Sequence, residues 1–128
     1  MDHAIPLHDL LGFEFEAPPA GSLEAQVHMP VRPEAFGFTA NLHGGAIATL
    51  VDLSCALAAA RATNFDPTKE SLVTSDMHIR YLGRPRTDRV TARSKIVRLG
   101  SQLIVIDCEV VDGEDHAVAV ADFSMMRV

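Results

Sequence analysis

A single carboxylate stands in the middle of a run that is otherwise almost free of charge. Asp52 lies within Gly44-Gly45-Ala46-Ile47-Ala48-Thr49-Leu50-Val51-Asp52-Leu53-Ser54-Cys55-Ala56-Leu57-Ala58-Ala59-Ala60. The run reads as a helix from about Gly44 to Thr63, and a helix apolar on all sides is normally a buried one. The neighbours of Asp52 at helical spacing are Ala48, Thr49, Cys55 and Ala56, so its own helix supplies no cation. Burying an unpaired carboxylate is costly, which leaves a partner elsewhere, protonation, or a chemical role as base or nucleophile. The Gly44-Gly45 pair at the helix start favours the chemical role. Free N–H groups at such a start, reinforced by the helix dipole, are preorganised donors for negative charge developing on a reacting oxygen. Glycine also allows close approach because it has no Cβ.

Within one chain these two features cannot meet at one reacting centre. At about 1.5 Å rise per residue, Asp52 sits roughly 10 Å along the axis from Gly45 and on nearly the same face. Attack on a carbonyl requires about 3–3.5 Å. Two such helices lying antiparallel at a two-fold axis would set Asp52 of one protomer against Gly45 of the other and create two equivalent sites. The spacing therefore predicts a composite site in a homodimer. The structural alternative is an Asp52 paired with an arginine of the sheet beside a plain glycine turn.

The elements that would position these residues are legible from periodicity. Residues 6–11 form a candidate short helix, followed by a first strand at Phe13-Glu14-Phe15 and a turn marked by Pro18, Pro19 and Gly21. Leu23, Ala25, Val27 and Met29 alternate with polar residues, the pattern of a half-buried strand. A loop covers residues 30–42, the helix follows, and a second loop runs from Asn64 to Lys69. Strands are expected at Leu72 to Leu82, Arg89 to Arg98, Gln102 to Val111 and His116 to Val128, with a hairpin turn at Asp112-Gly113-Glu114-Asp115. In the first of these, Val73, Met77, Ile79 and Tyr81 should face one way and Thr74, Asp76, His78 and Arg80 the other. Strands, one long buried helix and further antiparallel strands make an α+β domain, a curved sheet wrapped around the helix.

With 128 residues, 48% of them hydrophobic and 22% charged, the chain is expected to be a single domain spanning residues 1–128. A net charge of −6 argues against general nucleic-acid binding. Met1-Asp2-His3-Ala4-Ile5-Pro6 has no basic n-region, and the longest apolar run is Ala-rich and interrupted by Asp52, so neither a signal peptide nor a membrane span is expected. Cys55 and Cys108 sit in apolar patterns without metal spacing and read as buried free thiols of a reducing compartment, the cytoplasm. His3, His8, His28, His78 and His116 are scattered and suggest no metal site.

Asn41-Leu42-His43-Gly44-Gly45, with Asp52 seven residues after Gly45, resembles the hotdog-fold acyl-CoA thioesterases of the phenylacetate-pathway (PaaI-like) type. Thr74-Ser75-Asp76-Met77-His78-Ile79-Arg80-Tyr81-Leu82 is similar to the strand after the helix in that family, and Gly100 fits between two later strands. The resemblance runs from about residue 9 to the end. It implies a hotdog fold, hydrolysis of an acyl- or aryl-CoA thioester, and assembly as a homodimer or a dimer of dimers. No metal or redox cofactor is implied, because the thioester carries its own activated leaving group. By the same resemblance Gly45 presents its N–H to the thioester carbonyl, Asp52 is the catalytic carboxylate, and Thr74 stands close to the reacting water. Asn41 and Gly44 belong to the same motif as substrate contacts. Many members have Asn or Gln about six residues before the histidine; here that position is Gly37.

Bland roles compete at several positions. His43 either orients its loop through a hydrogen bond or transfers a proton, and Thr74 could be simply a β-branched strand residue. Arg80, Arg84, Arg86, Arg89, Arg93, Lys95 and Arg98 form a basic set that is either a solvated face or a grip on the phosphates of coenzyme A. Arg84, Arg86 and Arg98 lie near expected turns and are the candidates for that grip. Two alternative functions stand beside this one: a hotdog dehydratase acting on acyl thioesters, whose known arrangements the His43–Asp52 spacing does not resemble, and an acyl-CoA-binding or sensing module, which would need a partner or DNA-binding element.

Overall fold

A computed structural model describes residues 5–128, which leaves His3 outside the described residues. Pro6 opens α1 (Pro6–Leu11), which leads into β1 (Glu14–Phe15) and β2 (Glu24–Pro30). A 3₁₀ turn at Pro33–Ala35 and a loop precede α2 (Gly44–Ala62), followed by β3 (Leu72–Tyr81), β4 (Arg89–Leu99), β5 (Leu103–Asp112) and β6 (Ala117–Arg127). The strands form one antiparallel sheet in the order β1-β2-β4-β5-β6-β3.

Alternation in the strands produces the core. Ala25, Val27 and Met29 of β2, Val90, Ala92 and Ile96 of β4, and Ile104, Ile106, Cys108 and Val110 of β5 are all buried. They meet a stripe of α2 made of Ala46, Ile47, Leu50, Val51, Ser54, Cys55, Ala58 and Ala59. Each large aliphatic side chain withdrawn from water contributes about 1.5–3 kcal/mol. Asp112 N–H and His116 C=O close the β5–β6 hairpin at 3.0 Å, at the expected turn. In the β4–β5 turn Gly100 is the residue that fits, since a Cβ there would overlap the Leu103 carbonyl oxygen. This is the hotdog arrangement, an α+β domain with the sheet wrapped around one long helix.

Three features depart from the sequence expectation. First, α2 is covered on one side only. Ala48, Thr49, Asp52, Leu53, Ala56 and Leu57 are half-buried, so the apolar composition exceeds what one sheet face conceals. By length and a mean hydropathy of 1.4 the helix would qualify as a membrane span, but packing on the sheet accounts for the same composition. Second, β3 does not lie beside β4. It crosses to the far edge of the sheet and pairs with β6, leaving its other edge open. Third, β3 carries a bulge: Thr74 pairs with Met125 and Asp76 with Ser124, so Ser75 is an extra residue. The extra residue reverses the phase of the strand. Thr74 therefore shares the helix-facing side with Met77, Ile79 and Tyr81 instead of opposing them.

The core also holds a small polar network. Ser54 Oγ donates to the Ala92 carbonyl at 3.2 Å and bonds to Ser94 Oγ, which lies 3.7 Å from Cys108 Sγ. Both cysteines are free and buried. The hydrogen bond with Cys108, together with burial, pushes the Cys55 thiol well above its ordinary pKa and keeps it protonated.

Candidate active site

The start of α2 is shaped by His43. Its backbone is extended (φ −63°, ψ 131°), and its side chain folds back so that Nδ1 accepts the Gly45 N–H at 2.8 Å. Ser, Thr, Asp and Asn usually fill this capping role; here an imidazole does so. To accept, Nδ1 must carry its lone pair, so the ring is neutral with its proton on Nε2. This cap geometry favours glycine at 45, because a Cβ would stand 2.9 Å from Nδ1 and 3.0 Å from Cε1 and the imidazole would have to shift. His43 is thus the residue that orients the loop. His43→Ala should lower stability by about 1 kcal/mol, seen as a melting midpoint a few degrees lower; an unchanged midpoint would remove the cap from the account.

The cap redirects the expected donor. Gly45 was the residue expected to offer its N–H to a substrate oxygen, and that N–H is committed to His43. The Gly44 N–H, by contrast, has no acceptor among the described residues, since Ala46 and Ile47 already donate to the His43 carbonyl at 2.9 and 3.2 Å. The free donor at the helix tip is therefore Gly44. No sequence signal separates the two glycines, because the choice depends on the rotamer of His43. Tyr81, the single tyrosine of the chain, lies over this tip and donates its hydroxyl to the Gly44 carbonyl at 2.8 Å.

Two turns along, Asp52 is half-buried and accepts the Thr74 hydroxyl at Oδ1, 2.8 Å away. The β3 bulge makes this contact possible. Among the described residues Asp52 forms no ion pair, so the alternative of a structural pair with a sheet arginine is not what the structure contains. Oδ2 is left free to take a proton or attack. A carboxylate held by a hydroxyl, on a helix whose first N–H is unoccupied, is the equipment for acyl transfer.

Residues 39–119, well over half of the chain, match the family described as the Thioesterase superfamily. The chain belongs to the thioesterase superfamily. Among curated proteins, this superfamily member is 35% identical over 79 residues to an esterase-named protein of Halobacterium salinarum. That match spans 62% of the chain and 51% of the relative, so the chain corresponds to about half of that protein's length. Among solved structures, a Bacillus halodurans protein crystallised with CoA is similar at a TM-score of 0.82 and 27% identity, over 98% of this chain and 78% of that one. The PaaI protein of the phenylacetic acid degradation operon of E. coli shares the fold at a TM-score of 0.80 and 24% identity, over 94% and 83% of the two chains.

In this thioesterase-superfamily chain the remaining site candidates are distributed unevenly. Asn41 is tied within its own loop, its amide donating to Thr39 Oγ1 at 2.9 Å and its carbonyl accepting Gly37 N–H at 2.8 Å. The amide expected to contact substrate is thus bonded to a neighbour within its own exposed loop. Residue 37 does border the site, since a Cβ there would lie 3.7 Å from His43 Cα. Arg84 and Arg86 are exposed in the loop after Tyr81, at the same end of the molecule as the tip of α2. Asp112 anchors that loop: its buried carboxylate accepts N–H groups from Arg86, Glu114 and His116 at 2.8, 2.8 and 3.0 Å. Burial alone would push the carboxyl up, but the three N–H donors prevail and hold it below the ordinary value. The anchor's contribution is present at neutral pH and is lost as acidification protonates it. Arg98 lies at the opposite end of the sheet, paired with Val105 near the Ile104–Met125–Thr74 ladder and so at the Asp52 end, which within one protomer separates it from Arg84 and Arg86. None of the three forms a salt bridge among the described residues.

Proposed function

We propose that this protein is an acyl-CoA thioesterase of the phenylacetate-pathway type, hydrolysing an acyl- or aryl-CoA to the free acid and CoA at two composite sites of a homodimer. The observation that carries this reading is Asp52, a carboxylate with no cationic partner among the described residues, oriented by Thr74 on the same helix as the Gly44 N–H, which has no acceptor among them. The eight-residue step from Gly44 to Asp52 spans about 12 Å of helix, too far for one reacting centre. The Asp52 that acts opposite Gly44 therefore comes from the partner protomer. The uncovered apolar side of α2 and the open edge of β3 support pairing with a second copy, because both are surfaces that monomers seldom leave exposed. The CoA held by the Bacillus halodurans relative supports a CoA thioester as substrate.

In this reaction the Gly44 N–H, at the positive end of the helix, stabilises the oxyanion that forms as the carbonyl carbon is attacked. Asp52 Oδ2 takes a proton from water as the C–O bond forms; the C–S bond then breaks and the proton returns to the leaving CoA thiolate. Direct attack by Asp52 would instead pass through a mixed anhydride that water hydrolyses. Single turnover in ¹⁸O water detects direct attack: label entering the Asp52 carboxylate requires an anhydride opened by water at the aspartyl carbon. The reading itself is tested by thiol release from aryl, short-chain and long-chain CoA esters. Release from at least one class, well above the uncatalysed rate, is expected. Absence of release from every class would end it.

Arg84 and Arg86, on the Asp112-anchored loop beside the helix tip, would meet the phosphates of the CoA moiety. Alanine at both positions should raise KM for a CoA ester about tenfold, a loss on the scale of one charge-assisted hydrogen bond, and spare the matching pantetheine thioester. Equal effects on the two substrates would exclude phosphate recognition.

A further inference from the structure

The two most flexible residues of the site are the ones that must be held still. A Gly-Gly pair at a helix start loses more backbone freedom on ordering than any other pair, and the first turn has the fewest helical hydrogen bonds to hold it. Two side chains nevertheless grip one peptide unit there. The carbonyl of the Gly44–Gly45 peptide accepts the Tyr81 hydroxyl at 2.8 Å, and the N–H of the same peptide donates to His43 Nδ1 at 2.8 Å. The fit is close on both sides: a Cβ on Gly44 would lie 3.4 Å from the Tyr81 hydroxyl oxygen and 3.5 Å from Cζ, and a Cβ on Gly45 would strike the imidazole. Tyr81 reaches this point because the helix-facing phase of β3 runs through Met77, Ile79 and Tyr81. The strand that presents Thr74 to Asp52 at one end thus presents Tyr81 to Gly44 at the other.

We propose that Tyr81 is a positioning residue: with His43 it clamps the Gly44–Gly45 peptide, and so fixes the direction of the neighbouring free Gly44 N–H toward the substrate carbonyl. This rests on the thioesterase reading for its catalytic consequence but not for the clamp itself. Glycine at 44 could otherwise rotate its amide away from the reacting oxygen, and a misplacement near 1 Å is enough to reduce a rate severely. A lost direct oxyanion donor costs about 10²–10³ in kcat. Loosening that donor without removing it should cost less, on the order of tenfold.

The test compares wild type with Tyr81→Phe, which keeps the ring and its packing and removes only the hydroxyl. Steady-state thiol release should show kcat reduced about tenfold and KM within a factor of about two, since the lost alignment matters most in the transition state. Amide hydrogen exchange followed by NMR should show Gly45 exchanging at least several-fold faster in the variant, with helix-interior amides such as that of Val51 unchanged. Unchanged kcat in the presence of wild-type turnover overturns the catalytic consequence, and unchanged Gly45 exchange overturns the clamp. A general loss of protection along α2 would likewise overturn it, as a packing defect. Should wild type release no thiol from any ester, the thioesterase reading falls separately and the exchange measurement alone decides the clamp.

Discussion

Asp52→Asn should lower kcat for thioester hydrolysis by about 10²–10⁴-fold, the range associated with a positioned general base. KM should move by no more than a few-fold. The amide is isosteric and keeps an oxygen for the Thr74 hydroxyl, which the native carboxylate accepts at 2.8 Å. No ion pair is broken, because the carboxylate has no cationic partner among the described residues. A near-native melting curve is therefore expected with the lost activity. Thr74→Val, which removes the orienting hydroxyl and retains the β-branched shape, should lower kcat by a smaller factor in the same direction. Full turnover by the Asn variant would strip Asp52 of its role and return the helix carboxylate to a structural status.

The second large effect comes from deleting the Gly44 donor, and the structure permits an unusually clean deletion. Proline lacks the N–H and is well tolerated at the first helical position. The residue before it must be extended, and His43 already is, at φ −63° and ψ 131°. A Cβ at this position lies 3.4 Å from the Tyr81 hydroxyl oxygen, at the close limit of ordinary contact. Gly44→Pro should thus fold and lose about 10²–10³ in kcat, the value of one oxyanion donor. Its greater use is in combination. In a purified heterodimer of one Asp52→Asn and one Gly44→Pro protomer, a site shared across the two-fold leaves one centre with both defects and the other with none. Such a heterodimer should recover about half of wild-type turnover although each parent is nearly inactive. A site built within one protomer would leave both centres defective and the heterodimer dead. The two architectures give opposite answers.

Much of this was readable from residue order. The nearly charge-free run bounded α2 to within a residue, alternation located β2 and β4 to β6, and Asp112-Gly113-Glu114-Asp115 marked its turn, because each depends on local pattern. The members of the site were also visible, since an uncharged helix makes Asp52 conspicuous and Gly44-Gly45 announces a helix tip. What stayed hidden was set by distant contacts. Thr74-Ser75-Asp76 is polar throughout and can be phased either way, so the bulge that turns Thr74 to Asp52 left no trace. The position of β3 beside β6 is a property of the whole sheet. Which glycine keeps its N–H free depends on how His43 folds back, and the loop bond of Asn41 on the placement of Thr39. The separation of Arg98 from Arg84 and Arg86 follows from sheet order, not from spacing along the chain.

The unpaired side of β3 also bears on how the molecule comes into being. It offers the outward-facing half of a ten-residue strand's ladder groups to any strand that arrives, beside Val73, Met77, Tyr81 and Leu82, each between a third and two thirds exposed. In the homodimer proposed above, a newly made protomer is at its most adhesive in the interval before it finds its mate. Productive maturation becomes a race between correct encounter and stray strand addition, so refolding yield should peak at an intermediate protein concentration.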